Sequence, residues 1–154
     1  MTRFLDILFS LIGLITLSPV FLVLMIVIPM DSRGTVFFIQ SRVGKEGKDF
    51  RLIKFRSMIP GSKQNGNLTV GTRDARITNV GHFLRKFKLD EIPQLLNVLK
   101  GDMSLVGPRP EIRHFVEMYT EDQKKVLSVR PGMTDFASIE YICENELLGR
   151  SANP

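Results

Sequence analysis

The segment KFKLDEIPQLLNVLKGDMSLVGPRP, Lys86 to Pro110, sets two carboxylates side by side at Asp90 and Glu91. Arg85, Lys86 and Lys88 precede or flank the pair, and Arg109 follows between Pro108 and Pro110. Adjacent acids repel, so one tends to stay protonated unless a cation compensates. A divalent metal is such a cation. Magnesium takes one or two carboxylates and fills its shell with waters and substrate phosphates. With one acid on a metal, the other could attack phosphorus, because carboxylates that become acyl phosphates are established nucleophiles. Arginine side chains would then stabilise charge on the transferring phosphoryl group. The prolines restrict the backbone around Arg109, which suits a fixed guanidinium for phosphate or carboxylate binding. A purely structural alternative is that Asp90 caps a helix and Glu91 complements its macrodipole.

Periodicity gives the elements that hold these residues. Ile92, Leu95, Leu96 and Leu99 form one helical stripe, and Gly101 can end that helix. Pro93 fits in the first turn, which puts Asp90 at or near the N-cap. Val80, Phe83, Leu84 and Phe87 predict a preceding helix with Arg85, Lys86 and Lys88 off the apolar stripe. Thr35–Gln40 and Asp49–Met58 are β-branched, aromatic and joined by SRVGKEGK, which predicts a hairpin with Lys54 and Arg56 on one strand face. Ile59–Thr78 is rich in Gly, Asn, Ser and Thr and predicts a loop. Its Gly61–Asn67 stretch lacks the lysine a phosphate loop needs at 67. Beyond a turn-rich 101–110, residues 111–127 predict a helix with a capping box from Thr120 to Gln123. RPGMTDFASIEY predicts a turn and a short extended segment, and the last residues an unstructured end.

The N-terminus needs its own account. Ile7 to Met30 is 24 residues without a charge, above the roughly 20 that span a bilayer. It is too long for a signal-peptide core and apolar on every face. Ser18 and Pro19 stand near its middle. Proline removes a backbone donor and clashes with the preceding turn, and serine can bond back to a carbonyl three or four residues earlier. The run can therefore span straight, or break and return to the same face if its freed backbone groups are satisfied. Arg3 and Arg33 flank both ends, so the positive-inside rule does not separate them.

Composition narrows the class. The 154 residues suit one domain, and the net charge is +5. Residues 32–58 hold seven Lys or Arg against two acids, so all the excess lies beside the apolar run. That placement points to anionic lipid headgroups or phosphorylated substrates. With no Trp and two Tyr, no aromatic-plus-basic stacking motif supports nucleic-acid binding. The single cysteine, Cys143, excludes an intrachain disulfide, and His82 and His114 have no metal spacing.

In order, FLDILFSLIGLITLSPVFLVLMIVI, GTVFFIQSRVGKEGKDFRLIKFRSM, DARITNVGHFLRKFKLDEIPQLLNVLKGDMSLVGPRP and RPGMT cover roughly residues 3 to 134. In this combination the chain resembles the bacterial sugar transferases, small monotopic phosphoglycosyl transferases that start glycan assembly on a polyprenol phosphate. The resemblance implies an α+β fold: a re-entrant membrane helix over 1–31, broken at Ser18-Pro19, and a mainly helical cytoplasmic catalytic domain with a β-hairpin over 32–154. It implies transfer of a sugar 1-phosphate from a UDP-sugar to undecaprenyl phosphate with release of UMP, at the cytoplasmic face of the bacterial inner membrane.

Residue by residue, the resemblance makes Asp90 the nucleophile of a covalent phosphosugar intermediate and Glu91 the residue associated with Mg2+. Arg85 joins the catalytic group. Arg109, Pro108 and Pro110 map to the nucleotide-diphosphate region, Lys54 and Arg56 to a cationic wall, and Asp102 to a structural acceptor. Membrane lipids and downstream glycosyltransferases are the further partners expected; the sugar and the number of subunits are not fixed. RPGMTDFASIEY departs from the glycine- and glutamine-containing version of relatives. Family members generally continue for several tens of residues, so the end at Pro154 suggests truncation. The alternative expectation is an inactive anchored homologue that binds nucleotide sugar or polyprenyl phosphate without turnover.

Overall fold

A computed structural model describes residues 2–61 and 74–135. Most of the 59–78 loop, the chain after 135 and Cys143 lie outside the described residues. The architecture is α+β, with short helices around two two-stranded sheets.

The apolar run is two helices, α1 (Thr2–Thr16) and α2 (Ser18–Asp31), bent by 60° at their junction. The break falls at the expected residues. Pro19 lies in the first turn of α2, where its missing N–H costs nothing. The Ser18 hydroxyl donates to the Ile15 carbonyl (2.7 Å), and Thr16 Oγ1 donates to Ile12 O (2.9 Å). The Ser18 hydroxyl thus engages the carbonyl that the missing Pro19 N–H leaves short of a partner. Among the described residues no single helix is long and apolar enough to cross a membrane.

Both helices lie on the same domain. Arg3 donates to Val98 O (2.6 Å) and Leu99 O (2.9 Å), placing a cation on the carbonyl end of a helix, α4 (Gln94–Lys100). Asp6 accepts from the Ser104 hydroxyl and the Leu105 N–H of strand β3 (Ser104–Val106). At the other end, Asp31 accepts from Val80 N (2.9 Å) in α3 (Asn79–Lys86). Leu24 and Ile28 of α2 bury with Phe55 and Leu84. The outward faces, including Phe4, Phe9, Ile15, Leu22 and Ile26, remain exposed.

The hairpin forms as expected. Strands β1 (Phe37–Val43) and β2 (Asp49–Phe55) pair antiparallel through a 3-10 turn at Lys45–Gly47. Two stripes need correction. In α3, Val80 and Leu84 face the core, but Phe83 and, just past its end, Phe87 are exposed and meet with tilted rings 4.8 Å apart. In α4 the buried line is Leu95, Val98 and polar Asn97, while Leu96 is 37 % exposed. The helix starts later than expected, so Ile92 precedes it.

The predicted helix over 111–127 is two short pieces, α5 (Arg113–Val116) and α6 (Glu121–Lys124), the second opened by the expected Thr120–Gln123 capping box. A 3-10 turn follows at Lys125–Ser128. The turn-rich 101–110 hides β3, which pairs parallel with β4 (Gly132–Thr134). Gly107 and Gly132 cross there in backbone contact: a Cβ on Gly132 would lie 2.1 Å from Gly107 N. No other residue fits that crossing.

Candidate active site

Asp90 and Glu91 lie in a 3-10 turn, Leu89–Glu91, between α3 and α4. Lys88 takes a left-handed conformation (φ 55°) and turns the chain sharply after α3. Pro93, not Asp90, stands at the N-cap of α4. The helix-cap expectation for Asp90 is therefore corrected, because the turn closes first, through Glu91 N to Lys88 O and Ile92 N to Leu89 O. Gly101 ends α4 in the left-handed region (φ 97°), as expected.

Lys54 reaches Glu91 from β2, with Nζ 2.7 Å from Oε1, and both side chains are about four-fifths buried. Burial pushes the Glu91 carboxyl up, but the Lys54 charge and hydrogen bond, with Arg109 and Lys88, hold it below the usual carboxylate range. Asp90 is buried and goes the other way. Burial raises it and Glu91 adds to the rise, while Lys54 and Arg85 pull against it. Neighbouring acids whose environments drive them apart are what a division of roles requires. Arg85 is fixed by its Nε–H donating to the Ser57 hydroxyl (3.0 Å).

Arg109 and Pro110 share a cleft with Lys54, Glu91, Gln94 and Arg42. Arg109 is exposed. Its segment is held by Gly132 N donating to Pro108 O (2.9 Å) and by Arg42 Nη1 donating to Pro110 O (3.2 Å). Arg56 is not on this wall. It lies one residue past β2, buried, and its guanidinium donates to the carbonyls of Ser32, Arg33 and Thr35 and to the Ser32 hydroxyl. It ties the end of α2 to the hairpin, so the shared face expected for Lys54 and Arg56 ends at Phe55.

Two residues escaped the sequence reading. Arg42 faces Glu91, Arg109 and Glu111. The hairpin register could have found it: Phe38 pairs with Lys54 and Arg42 with Phe50, and alternation puts Arg42 on the Lys54 face. Its Nε is buried with no hydrogen-bond partner among the described residues. Asn97 is fully buried. Its side-chain amide accepts from Ile53 N (3.1 Å) and donates to Arg51 O (2.8 Å), as a third strand would on the open edge of β2. Its Nδ2 also donates to Asp102 (3.1 Å), the acceptor role expected for that aspartate. One side chain therefore couples the helix after the acidic pair to the strand that carries Lys54.

Among the described residues no group of three or more His, Cys, Asp or Glu could hold a metal by itself. The hard oxygens of Glu91 and Asp90 fit a weakly ligated magnesium that takes the rest of its shell from phosphates and water.

The family model for bacterial sugar transferases matches residues 1–150, and the chain belongs to that family. It is 44 % identical over 142 residues to the UDP-N-acetylgalactosamine-undecaprenyl-phosphate N-acetylgalactosaminephosphotransferase of Aeromonas hydrophila, covering 90 % of this chain and 34 % of that protein. It is 44 % identical over 120 residues to a putative undecaprenyl-phosphate N-acetylgalactosaminyl 1-phosphate transferase of Bacillus subtilis, covering 78 % and 67 %. To the UDP-galactose-lipid carrier transferase of Erwinia amylovora it is 40 % identical over 151 residues, covering 86 % and 32 %. The chain thus spans about a third of the Aeromonas and Erwinia proteins and two thirds of the Bacillus protein.

Proposed function

We propose that the chain is a phosphoglycosyl transferase that moves a sugar 1-phosphate from a UDP-sugar to undecaprenyl phosphate. The observation that carries the reading is the buried Asp90–Glu91 pair, with opposed electrostatics, against Lys54 and beside Arg85 and Arg109. An Asp90 oxygen forms a bond to the sugar-bearing phosphorus. The bond from that phosphorus to the bridging oxygen breaks, and UMP leaves with that oxygen. An oxygen of undecaprenyl phosphate then attacks the same phosphorus and displaces Asp90, whose carboxylate is regenerated. Arg42, Lys54 and Arg109 hold the diphosphate, and Arg85 steadies the charge at Asp90. Glu91, with Asp90 adjacent, would hold Mg2+, which when bound neutralises charge on the phosphoryl oxygens.

The test is incubation of the chain with magnesium, undecaprenyl phosphate and a panel of UDP-sugars. UMP release with at least one donor is expected. Binding without UMP release across the panel would favour the inactive homologue instead.

Residues 1–31 are read as a re-entrant anchor under the 32–154 catalytic domain, on the cytoplasmic face of the inner membrane. Arg3 and Asp31, at the two ends of the bent pair, both bond to that one domain, and a straight span would carry one of them across the bilayer. In a Cys143→Ser background, single cysteines at Thr2 and Ser32 are expected to label from the same membrane face. Labelling from opposite faces would sink this topology.

Lys54→Met tests the electrostatics. The lysine lowers the pKa of both acids, so its loss raises both, Asp90 from an already raised position. Asp90 must be ionised to attack, and the acidic limb of kcat/KM is expected to move to higher pH. An unmoved limb with a lowered plateau would restrict Lys54 to substrate binding.

A further inference from the structure

Along one face of the hairpin, β1 presents Phe38, Gln40 and Arg42 opposite Lys54, Leu52 and Phe50 of β2. The row changes character along its length. Arg42, at one end, belongs to the charged cleft with Glu91 and Arg109. Gln40 accepts from Arg42 Nη2 (3.1 Å). Phe38 lies about 13 Å from Arg42 along the strand and is 50 % exposed. It pairs directly with Lys54, which sets their Cβ atoms about 5 Å apart. Lys54 in turn holds Glu91 at 2.7 Å. An open phenyl ring thus stands beside the cation that serves the acidic pair.

Phe38 also adjoins the apolar N-terminal pair of helices. Its neighbour Phe37, on the opposite face, stacks on Phe55 (5.5 Å), and Phe55 meets Phe21 of α2 (5.0 Å). Val36 and Phe37 pack against the cluster that holds Leu24 and Ile28. This end of the hairpin is therefore seated on α2, whose outward side chains Leu22, Ile26 and Met30 are exposed. A ligand that is hydrocarbon at one end and anionic at the other matches this succession: its chain follows the apolar side chains from α2 to Phe38, and its charge stops at Lys54. On the transferase reading of the preceding subsection, we propose that Phe38 and Lys54 form the acceptor subsite, with Lys54 taking the phosphate of the polyprenyl phosphate once UMP has left and the Phe38 ring taking the first isoprene units of its chain. The donor's nucleoside, held toward Arg42 and Arg109, and the acceptor's chain then leave the shared phosphate position in opposite directions along the hairpin.

Farnesyl phosphate carries an isoprenoid chain and UDP does not, while both carry phosphate for Lys54. Their Kd values would be measured by calorimetry on the full chain in lipid nanodiscs, with the heats of empty nanodiscs subtracted, for wild type, Phe38→Thr and Phe38→Leu. Threonine keeps the strand preference and loses the ring, whereas leucine keeps an apolar contact. Phe38→Thr is expected to raise the Kd of farnesyl phosphate about tenfold, the scale of about 50 Å² of apolar surface returned to water. The same variant should leave the Kd of UDP within about twofold, and Phe38→Leu should leave both ligands within about threefold. Equal weakening of both ligands by Phe38→Thr in folded protein, or of neither, overturns the subsite. Turnover gives a second readout. In Phe38→Thr, UMP release in a single turnover without acceptor should keep its wild-type rate, and the KM for undecaprenyl phosphate should rise. Slowed UMP release would give the ring to the sugar of the donor and overturn the proposal. If no UDP-sugar yields UMP from wild type but farnesyl phosphate binding still depends on Phe38, the transferase reading fails and the subsite stands.

Discussion

Asp90→Asn is expected to remove turnover altogether, by at least about 10⁴-fold, the scale on which loss of a covalent nucleophile is felt. The amide is isosteric, so the 3-10 turn and the Lys54–Glu91 pair should persist, and UDP should still bind. The measurement is UMP release in single turnover, with an attempt to trap sugar phosphate on the protein. Wild type should carry the label on residue 90 and the variant should carry none. Glu91→Gln should retain the proposed nucleophile but lose most of the rate, because the proposed metal ligand is gone and Lys54 is left without its partner. An Asp90→Asn protein with near-normal rates would show that the phosphoryl group passes directly between substrates.

Asn97→Leu is expected to have the largest effect on stability. The volume is roughly kept, but Ile53 N–H and Arg51 C=O lose their partner and Asp102 loses a donor. Each buried group left unpaired costs about 1–3 kcal/mol, so the total is a large share of the roughly 5–15 kcal/mol that holds a domain together. Thermal unfolding in nanodiscs should show the midpoint falling by roughly 10 °C or more, at about 2–8 °C per kcal/mol for domains of this order of size. Folded Asn97→Leu protein should also bind the diphosphate poorly, because β2 no longer holds Lys54 against Glu91. A midpoint within a degree or two of wild type would mean that water replaces the amide.

Much of this was legible from residues alone, for reasons that are local. Pro19, with Ser18 before it, marks a break because a proline removes a backbone donor and clashes with the preceding turn. The hairpin follows from two β-branched and aromatic runs around a glycine-punctuated turn, and the Thr120 box is a four-residue device. The acidic pair stood out because like charges side by side call for a partner, and Lys54 proved to supply one. The misses are tertiary. Apolar spacing in α3 could not say that Phe83 and Phe87 lie outside while Leu84 goes in. Arg56 looked like another rung of its strand, yet the chain leaves the sheet one residue earlier and the carbonyls at 32–35 claim its guanidinium. Asn97 looked like a polar interruption of an apolar helix. Its meaning depends on an open strand edge 44 residues away in sequence.

The crossing of Gly107 and Gly132 has a consequence for how such a molecule can diversify. It pinches the chain into a closed lobe from 108 to 131 whose neck admits no side chain at either glycine. Inside the lobe sit α5 and α6. Outside it, on other stretches of the chain, sit Asp90, Glu91 and Lys54. The acidic pair and the part of the lobe beyond Glu111 are therefore separable by inheritance, whereas Arg109, at the lobe's start, shares the cleft of Lys54 and Glu91. Residues of the lobe beyond Glu111 can be exchanged, or its length altered, without shifting the register of Asp90 and Glu91, provided both glycines at the neck stay as they are.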